Sequence, residues 1–189
     1  TLFMGDRTAS ALAELTNITL SAGVTAFSHI FEKGLWARQA RFGCYDNFSV
    51  LDRLLFGSED ARIIYRLSGE SPQGSPVHGY FVISTNYTFL KEYYEKHRKK
   101  HPLKFVSYTE ALEYEASAYL ELGSIFSGAT TTVLADYLDS RIVIEATEIR
   151  HFKESFNGRN PIFAGELPFS MDDTHFCAYL LLDYLSAQT

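Results

Sequence analysis

Apolar residues recur at helical intervals in the first part of the chain. A capping Thr8 or Ser10 precedes this stretch, and Gly23 is expected to end it, because Ser and Thr favour helix starts and Gly favours helix ends. The apolar positions that define the period are Leu12, Leu15 and Ile18. The pattern predicts an amphipathic helix that buries one face.

Further helices are predicted in the second half of the chain. Ser107 and Glu110 form a capping box, which opens a helix that is expected to end at Gly123. A separate helix is predicted at about residues 130–139. Residues 176–185 are apolar nearly all round, which predicts a helix that is buried or pressed against a partner.

Three segments have the composition of β-strands. Residues 62–67 and 80–83 are rich in β-branched and aromatic side chains, and residues 141–148 alternate apolar and polar positions. Residues 68–76 between the first two strands are a loop by composition. The elements follow no regular strand–helix–strand rhythm and no internal repeat is visible. We therefore predict one α+β domain over residues 1–189.

Charge and composition narrow the range of partners. The net charge is −6, and the basic run at residues 96–101 is interpreted as a solvated helix end, so nucleic acid is not an expected partner. No apolar stretch reaches the roughly 18 residues of a membrane span. The chain begins without a basic and apolar leader, so any signal peptide is expected to have been removed or never to have existed.

Common catalytic motifs are missing from the sequence. It contains no P-loop, dinucleotide-binding glycine motif, nucleophile elbow or zinc-protease motif, and no metal site is predicted. The two cysteines, Cys44 and Cys177, are either two buried thiols or one long-range disulfide. A catalytic role for one of them with a histidine is the less favoured interpretation, because buried structural thiols are commoner.

Four collinear segments resemble the toxin-type mono-ADP-ribosyltransferases, with the pertussis type nearest. Residues 80–83 form a strand that leads through Ser84-Thr85 into an aromatic and basic helix. The other three segments are residues 1–7, 46–54 and 129–158. The resemblance implies an ADP-ribosyltransferase-like split β-sandwich with flanking helices, and NAD as the substrate.

The resemblance also assigns site residues, with departures from the family's pattern. Met4 replaces the arginine that pairs with phosphate, and Asp136 replaces the glutamate that contacts the ribose. Leu134 replaces a residue that orients the acceptor, and Arg53 replaces a histidine. The implied catalytic residues are Asp136, Ser84, Thr85 and Arg53, and the implied NAD-binding residues are Met4, Asp6, Arg7, Ser84 and Thr85.

Three interpretations remain open at this point. In the first, the chain is a secreted toxin or effector that has lost catalysis. In the second, it is a secreted toxin or effector in which neighbouring residues take over from the altered ones. Arg7 or Arg53 would then replace the arginine, and Asp136, Glu145 or Glu148 would replace the glutamate. Either would act on a host target protein, with a possible additional toxin or partner subunit. The alternative is a non-catalytic protein-interaction module on an α+β scaffold, marked by an exposed aromatic patch from residues 87–94 or 176–185.

Overall fold

Two long helices lie against one face of a seven-stranded antiparallel sheet in a computed structural model of the chain. The structure describes residues 6–31, 35–45, 53, 61–85, 88, 92, 95, 108–146, 162–171 and 174–183. The helices are α1 (Asp6–Phe31) and α2 (Tyr108–Leu138). The strands are β1 (Leu35–Ala37), β2 (Arg41–Tyr45), β3 (Ala61–Glu70), β4 (Pro76–Thr85), β5 (Ile142–Ala146), β6 (Ile162–Met171) and β7 (Thr174–Asp183). The predicted α+β class is confirmed.

The strands run in the order β1-β6-β7-β4-β3-β5, and β2 also pairs with β6. Two hairpins, β3–β4 and β6–β7, form the middle of the sheet and meet where β4 pairs with β7. All strands that the structure describes belong to this one sheet. The split sandwich that the toxin resemblance implied is therefore not the arrangement of these strands.

Side-chain alternation along the strands divides the core between the two faces of the sheet. Phe176, Ala178, Leu180 and Leu182 of β7 belong to the large cluster that includes the buried residues of both helices. Leu181 belongs to a smaller cluster on the opposite face, with Ile64 and Val82. The central strands are thus apolar on both sides.

The prediction of a helix at residues 176–185 was wrong, because this segment forms most of β7. A strand that is buried on both faces has a continuous apolar run, and periodicity cannot separate such a run from a buried helix. The strand predictions at residues 62–67, 80–83 and 141–148 are confirmed by β3, β4 and β5. The loop between β3 and β4 is shorter than predicted, since the two strands extend to Glu70 and Pro76. The aromatic and basic helix predicted after Ser84-Thr85 lies outside the described residues apart from isolated positions.

Two glycines that were expected to end helices lie inside them instead. A Cβ built at Gly23 would lie 2.7 Å from Thr130 Cγ2 and 2.8 Å from the Phe126 ring, so this glycine lets α1 approach α2. A Cβ at Gly123 would lie 2.7 Å from Ile63 Cγ2, so this glycine lets α2 approach β3. Residues 130–139 therefore continue α2 rather than forming a helix of their own.

Helix α2 continues past the predicted stop at Gly123 and ends at Leu138, close to the end predicted for the helix at about residues 130–139. Asp139 takes a left-handed conformation with φ 48°. The Ser140 amide donates to the Ala135 carbonyl at 3.0 Å, which closes the last turn in a Schellman arrangement.

An internal repeat relates the two halves of the chain, contrary to the sequence-based expectation. Among the described residues, each half contains one long helix, then one sheet-edge segment, then one hairpin: α1, β1–β2 and β3–β4 in the first, and α2, β5 and β6–β7 in the second. The edge segment of each half pairs with the hairpin of the other half, since β2 lies on β6 and β5 lies on β3. The arrangement has an approximate two-fold axis through the β4–β7 pair.

The helices repeat at the level of single residues. Adding 107 to a residue number in α1 gives the matching position in α2, so that Glu14 matches Glu121. Each residue from 14 to 23 has the same degree of burial as its match in residues 121–130. Under this shift Gly23 matches Thr130, and these two residues meet where the helices pack. The two-fold axis therefore passes between them.

We expect Gly23→Ala to destabilise the protein by about 1–3 kcal/mol, because the added methyl group meets Thr130 and Phe126 in a packed core. The matched control is Gly128→Ala in α2, where a Cβ would meet nothing within 4 Å. That change should stabilise the protein by about 0.5–1 kcal/mol, since alanine favours a helix interior over glycine. Urea unfolding followed by circular dichroism measures both. Equal effects of the two variants would contradict the close approach.

Candidate interaction surface

The face of the helical layer that points away from the sheet carries two matching groups of exposed residues. Glu14, Asn17 and Ile18 lie on one side of α1, because residues three and four positions apart share a helix face. The matching residues of α2 are Glu121, Ser124 and Ile125. We call the first group the α1 patch and the second the α2 patch.

Each patch combines a carboxylate, a small polar side chain and an exposed isoleucine. Ile18 is 39% exposed and Ile125 is 40% exposed. A single exposed apolar residue is ordinary on a protein surface, but the same one at two matched positions is a repeated feature. The side chains of Glu14 and Asn17 make no hydrogen bond or ion pair with the described part of the chain, whereas the Ser124 hydroxyl lies 3.5 Å from Tyr65 Oη.

The approximate two-fold axis separates the patches. Each patch begins roughly 13 Å along its helix from the point where Gly23 meets Thr130, at 1.5 Å per residue. The partly exposed residues between the patches and the axis are small: Ser21, Ala22, Gly128 and Ala129. A partner can therefore approach the helix backbones closely along this face.

Neither patch is among the residues that the sequence predicts for a functional site. The signal was the shared spacing of glutamate, leucine, a polar residue and isoleucine at residues 14–18 and 121–125. It becomes recognisable once the two segments are known to be equivalent helices.

The structure does not bring the predicted NAD-site residues together. Ser84 lies in β4 opposite Cys177 and projects from the sheet face that is remote from the helices. Asp136 is exposed near the end of α2, on the other side of the sheet. The sheet thus lies between the two residues that would have to share one cleft.

The remaining predicted site residues lie apart from these two. Arg53 is exposed, and Arg7 is exposed in the first turn of α1. Asp6 is the first residue of α1 and Thr85 is the last residue of β4. Met4 and Glu148 lie outside the described residues. No finding tests the catalytic or NAD-binding roles, which rested on the resemblance.

The two cysteines are too far apart for a disulfide. Cys44 lies opposite Phe163 of β6 and Cys177 lies opposite Pro168, which are roughly 17 Å apart along that strand. The side chains also project from opposite faces of the sheet, by the alternation along β6. Burial raises the pKa of the Cys177 thiol to about 11, and a hydrogen bond with Tyr179 partly opposes this shift. A thiol in this environment is a poor nucleophile at neutral pH.

The fold is similar to that of flagellar-switch and chemotaxis domains of known structure. The middle domain of FliM from H. pylori superposes with a TM-score of 0.58 at 10% identity, covering 98% of this chain and 97% of that one. FliY from Thermotoga maritima superposes with a TM-score of 0.56 at 12% identity, covering 99% and 95%. CheX from Borrelia burgdorferi, in a complex with CheY, BeF3 and Mg²⁺, gives 0.50 at 16% identity, covering 90% and 97%.

No protein-family model matches the chain, and no curated protein matches it by sequence. At these identities the structural likeness establishes the fold alone.

The likeness overturns the toxin interpretation. The structural neighbours are FliM, FliY and CheX, not ADP-ribosyltransferases, so the resemblance and the transferase or effector function drawn from it were wrong. The prediction of secretion depended on the same resemblance and is wrong with it. A host target protein has no support. In the described part of the chain, neither helix has the length and apolar character needed to cross a membrane.

The resemblance misled because it rested on short segments with common local patterns. A strand followed by Ser-Thr is a frequent helix start in any fold. Residues 129–138 belong to one continuous helix here, in which Leu134 is buried in the core and Asp136 points outward.

We expect the Cys177 thiol to titrate about two pH units higher in the folded protein than in the unfolded chain. In a Cys44→Ala variant, the rate at which iodoacetamide modifies Cys177 should increase with pH. The midpoint should lie near pH 11 for the folded protein in buffer and near pH 9 for the chain unfolded in urea. Because the folded-state pKa is the higher one, the thiol's contribution to stability is complete below about pH 9 and is lost as the pH rises towards 11. The Cys177→Ala variant, which retains Cys44, is the control. A native midpoint near pH 9 would contradict the burial of this thiol.

Proposed function

We propose that the chain is a protein-interaction domain of the chemotaxis and flagellar-switch type, which binds a receiver protein of the CheY kind on the outward face of α1 and α2. Three structures with this fold support a role in protein binding: CheX with CheY, FliM with FliG, and FliM with SpeE. The observation that carries the proposal is the matched exposure of the α1 and α2 patches.

The chemistry of this face suits a protein partner. The exposed Ile18 and Ile125 supply apolar anchors, and the small residues between the patches allow close backbone approach. Glu14 and Glu121 supply carboxylates for cationic groups of the partner. Apolar centres with a polar surround are typical of protein interfaces, in which a few anchors contribute most of the binding energy.

We expect Ile18→Glu to weaken binding of a CheY-type receiver by about 10-fold or more, because it puts a charge where an apolar anchor is buried on binding. The receiver is loaded with BeF3 and Mg²⁺, and binding is measured by isothermal titration calorimetry. The matched control is Val143→Glu at the sheet edge, since Val143 is 52% exposed but remote from the helical face. Equal losses for both variants, or no binding by the unchanged protein, would overturn the proposal.

A second candidate function is hydrolysis of the partner's phosphoryl group, favoured by the pairing of Glu14 with Asn17. Beryllium trifluoride is a mimic of a phosphoryl group, so the CheX complex is one with a phosphoryl-like receiver. The Asn17 carboxamide can both donate to and accept from a water, and so can orient it for in-line attack on phosphorus. The Glu14 carboxylate can hold a cationic donor of the receiver and fix the docking.

In this reaction the water oxygen bonds to phosphorus while the bond from phosphorus to the receiver carboxylate breaks. The carboxylate leaves with the electron pair, and inorganic phosphate and a proton are released. The reaction requires positioning more than covalent chemistry, which suits an exposed carboxamide on a rigid helix. The α2 patch has Ser124 at the position of Asn17, and its shorter side chain lies near Tyr65. Hydrolysis is therefore assigned to the α1 patch.

We expect Asn17→Ala to lower phosphate release from a phosphorylated CheY-type receiver by about 100-fold, the usual effect of removing one positioned polar group. Phosphate is measured with a coupled absorbance assay, after subtraction of the receiver's own rate. Ser124→Ala is the matched control and should leave the rate unchanged. Hydrolysis is refuted if the unchanged protein does not accelerate phosphate release, or if both variants change the rate equally. Docking of the receiver is tested separately, by the calorimetric measurement.

A further inference from the structure

A groove lies at the β1 end of the sheet, away from the α1 and α2 patches. Its volume is about 470 Å³. The residues that line it are Trp36, Arg38, Pro168, Phe169, Ser170, His175 and Phe176. A space of this size accommodates one or two side chains of a bound segment.

Strand pairing positions the groove walls. Trp36 of β1, Ser170 of β6 and His175 of β7 occupy one row across the sheet, because Ser170 pairs with both of the others. Phe169 and Phe176, the next pair along the two strands, project to the opposite face of the sheet, where they are buried against Phe27 of α1 and stack with ring centroids 5.0 Å apart and planes 8° apart. The Arg38 amide donates to the Pro168 carbonyl at 2.9 Å, which fixes the backbone at the rim.

The most exposed large apolar side chain in the described part of the chain belongs to this groove. Trp36 is 79% exposed and is the single tryptophan of the sequence. An exposed tryptophan beside an arginine is typical of binding hot spots, since both side chains supply large contact areas. The exposed aromatic patch predicted at residues 87–94 or 176–185 does not include Trp36, and Phe176 is only 4% exposed.

The charge of the groove is opposite to that of the chain. Among the lining residues that the structure describes, Arg38 and His175 are titratable and none carries a carboxylate, although the net charge of the chain is −6. Asp172 and Asp173, in the connection between β6 and β7, lie outside the described residues. The lining therefore favours an anionic ligand over a cationic one.

The strand beside the groove is a sheet edge. β1 and β2 both pair with β6, and on their other side they pair with no strand that the structure describes. An edge of this kind can accept an extended segment through main-chain hydrogen bonds, while the side chains of the segment enter an adjacent pocket.

We propose that this groove binds an extended acidic segment of a partner protein, which places an apolar side chain against Trp36 and a carboxylate against Arg38. A nucleic-acid strand could also offer stacking and negative charge. The acidic net charge of the chain opposes a polyanion at long range, and a short peptide carries fewer charges. The site is separate from the helical face, so the proposal does not depend on the proposed function.

The test uses Trp36 fluorescence, since no other tryptophan contributes to the signal. The probe is an eight-residue peptide with four glutamates around a central phenylalanine. We expect saturable quenching with a dissociation constant in the range of about 10–100 μM, which is ordinary for short peptides at small interfaces. A peptide with glutamines in place of the glutamates should bind about 10-fold more weakly.

Two charge-reversal variants locate the binding site. Arg38→Glu should weaken binding of the acidic peptide about 10-fold, whereas Arg7→Glu makes the same change in net charge on the exposed start of α1 and should leave it unchanged. Circular dichroism confirms that both variants are folded. Equal loss in the two variants, equal affinity for the glutamine peptide, absence of quenching, or tighter binding of an eight-nucleotide thymidine strand would each overturn the proposal.

Discussion

The pairing of β4 with β7 is the contact on which the rest of the structure depends. It joins the two hairpins at the centre of the sheet, and the strands on both sides extend outward from it. The helices then cover one face, and they approach closely because glycine at position 23 admits Thr130 and Phe126. The approximate two-fold axis through this pair also sets the positions of the α1 and α2 patches. A change at the centre would therefore alter both patches together.

Much of the fold could be predicted from local patterns, and the errors have definite causes. The sequence predicts β3 and β4 from their β-branched and aromatic residues, and β5 from the alternation of apolar and polar positions. β7 was taken for a helix because it is apolar on both faces, which follows from its central place in the sheet. Gly23 and Gly123 were taken for helix ends, although each one serves a close approach that only tertiary structure defines.

The candidate site was less accessible from sequence than the fold. An acid and an amide three residues apart on a helix, as in Glu14 and Asn17, occur by chance on many surfaces. Their significance comes from the matching burial of α2, which requires both helices to be seen together. The toxin resemblance was misleading for a related reason. It placed Ser84 and Asp136 in one cleft by their order along the chain, whereas the sheet lies between them.

The exchange of edge strands between the halves has a consequence for how the chain folds. β2 pairs with β6 and β5 pairs with β3, so neither half can complete its own part of the sheet. The central β4–β7 pair joins residues roughly 100 positions apart, and such contacts fold slowly because a long loop must close before they form. During synthesis the hairpin of β3 and β4 emerges long before β7, with both of its edges unpaired. The sheet can then be completed only after β7 has been synthesised, and until that point both edges of this hairpin can pair with other chains.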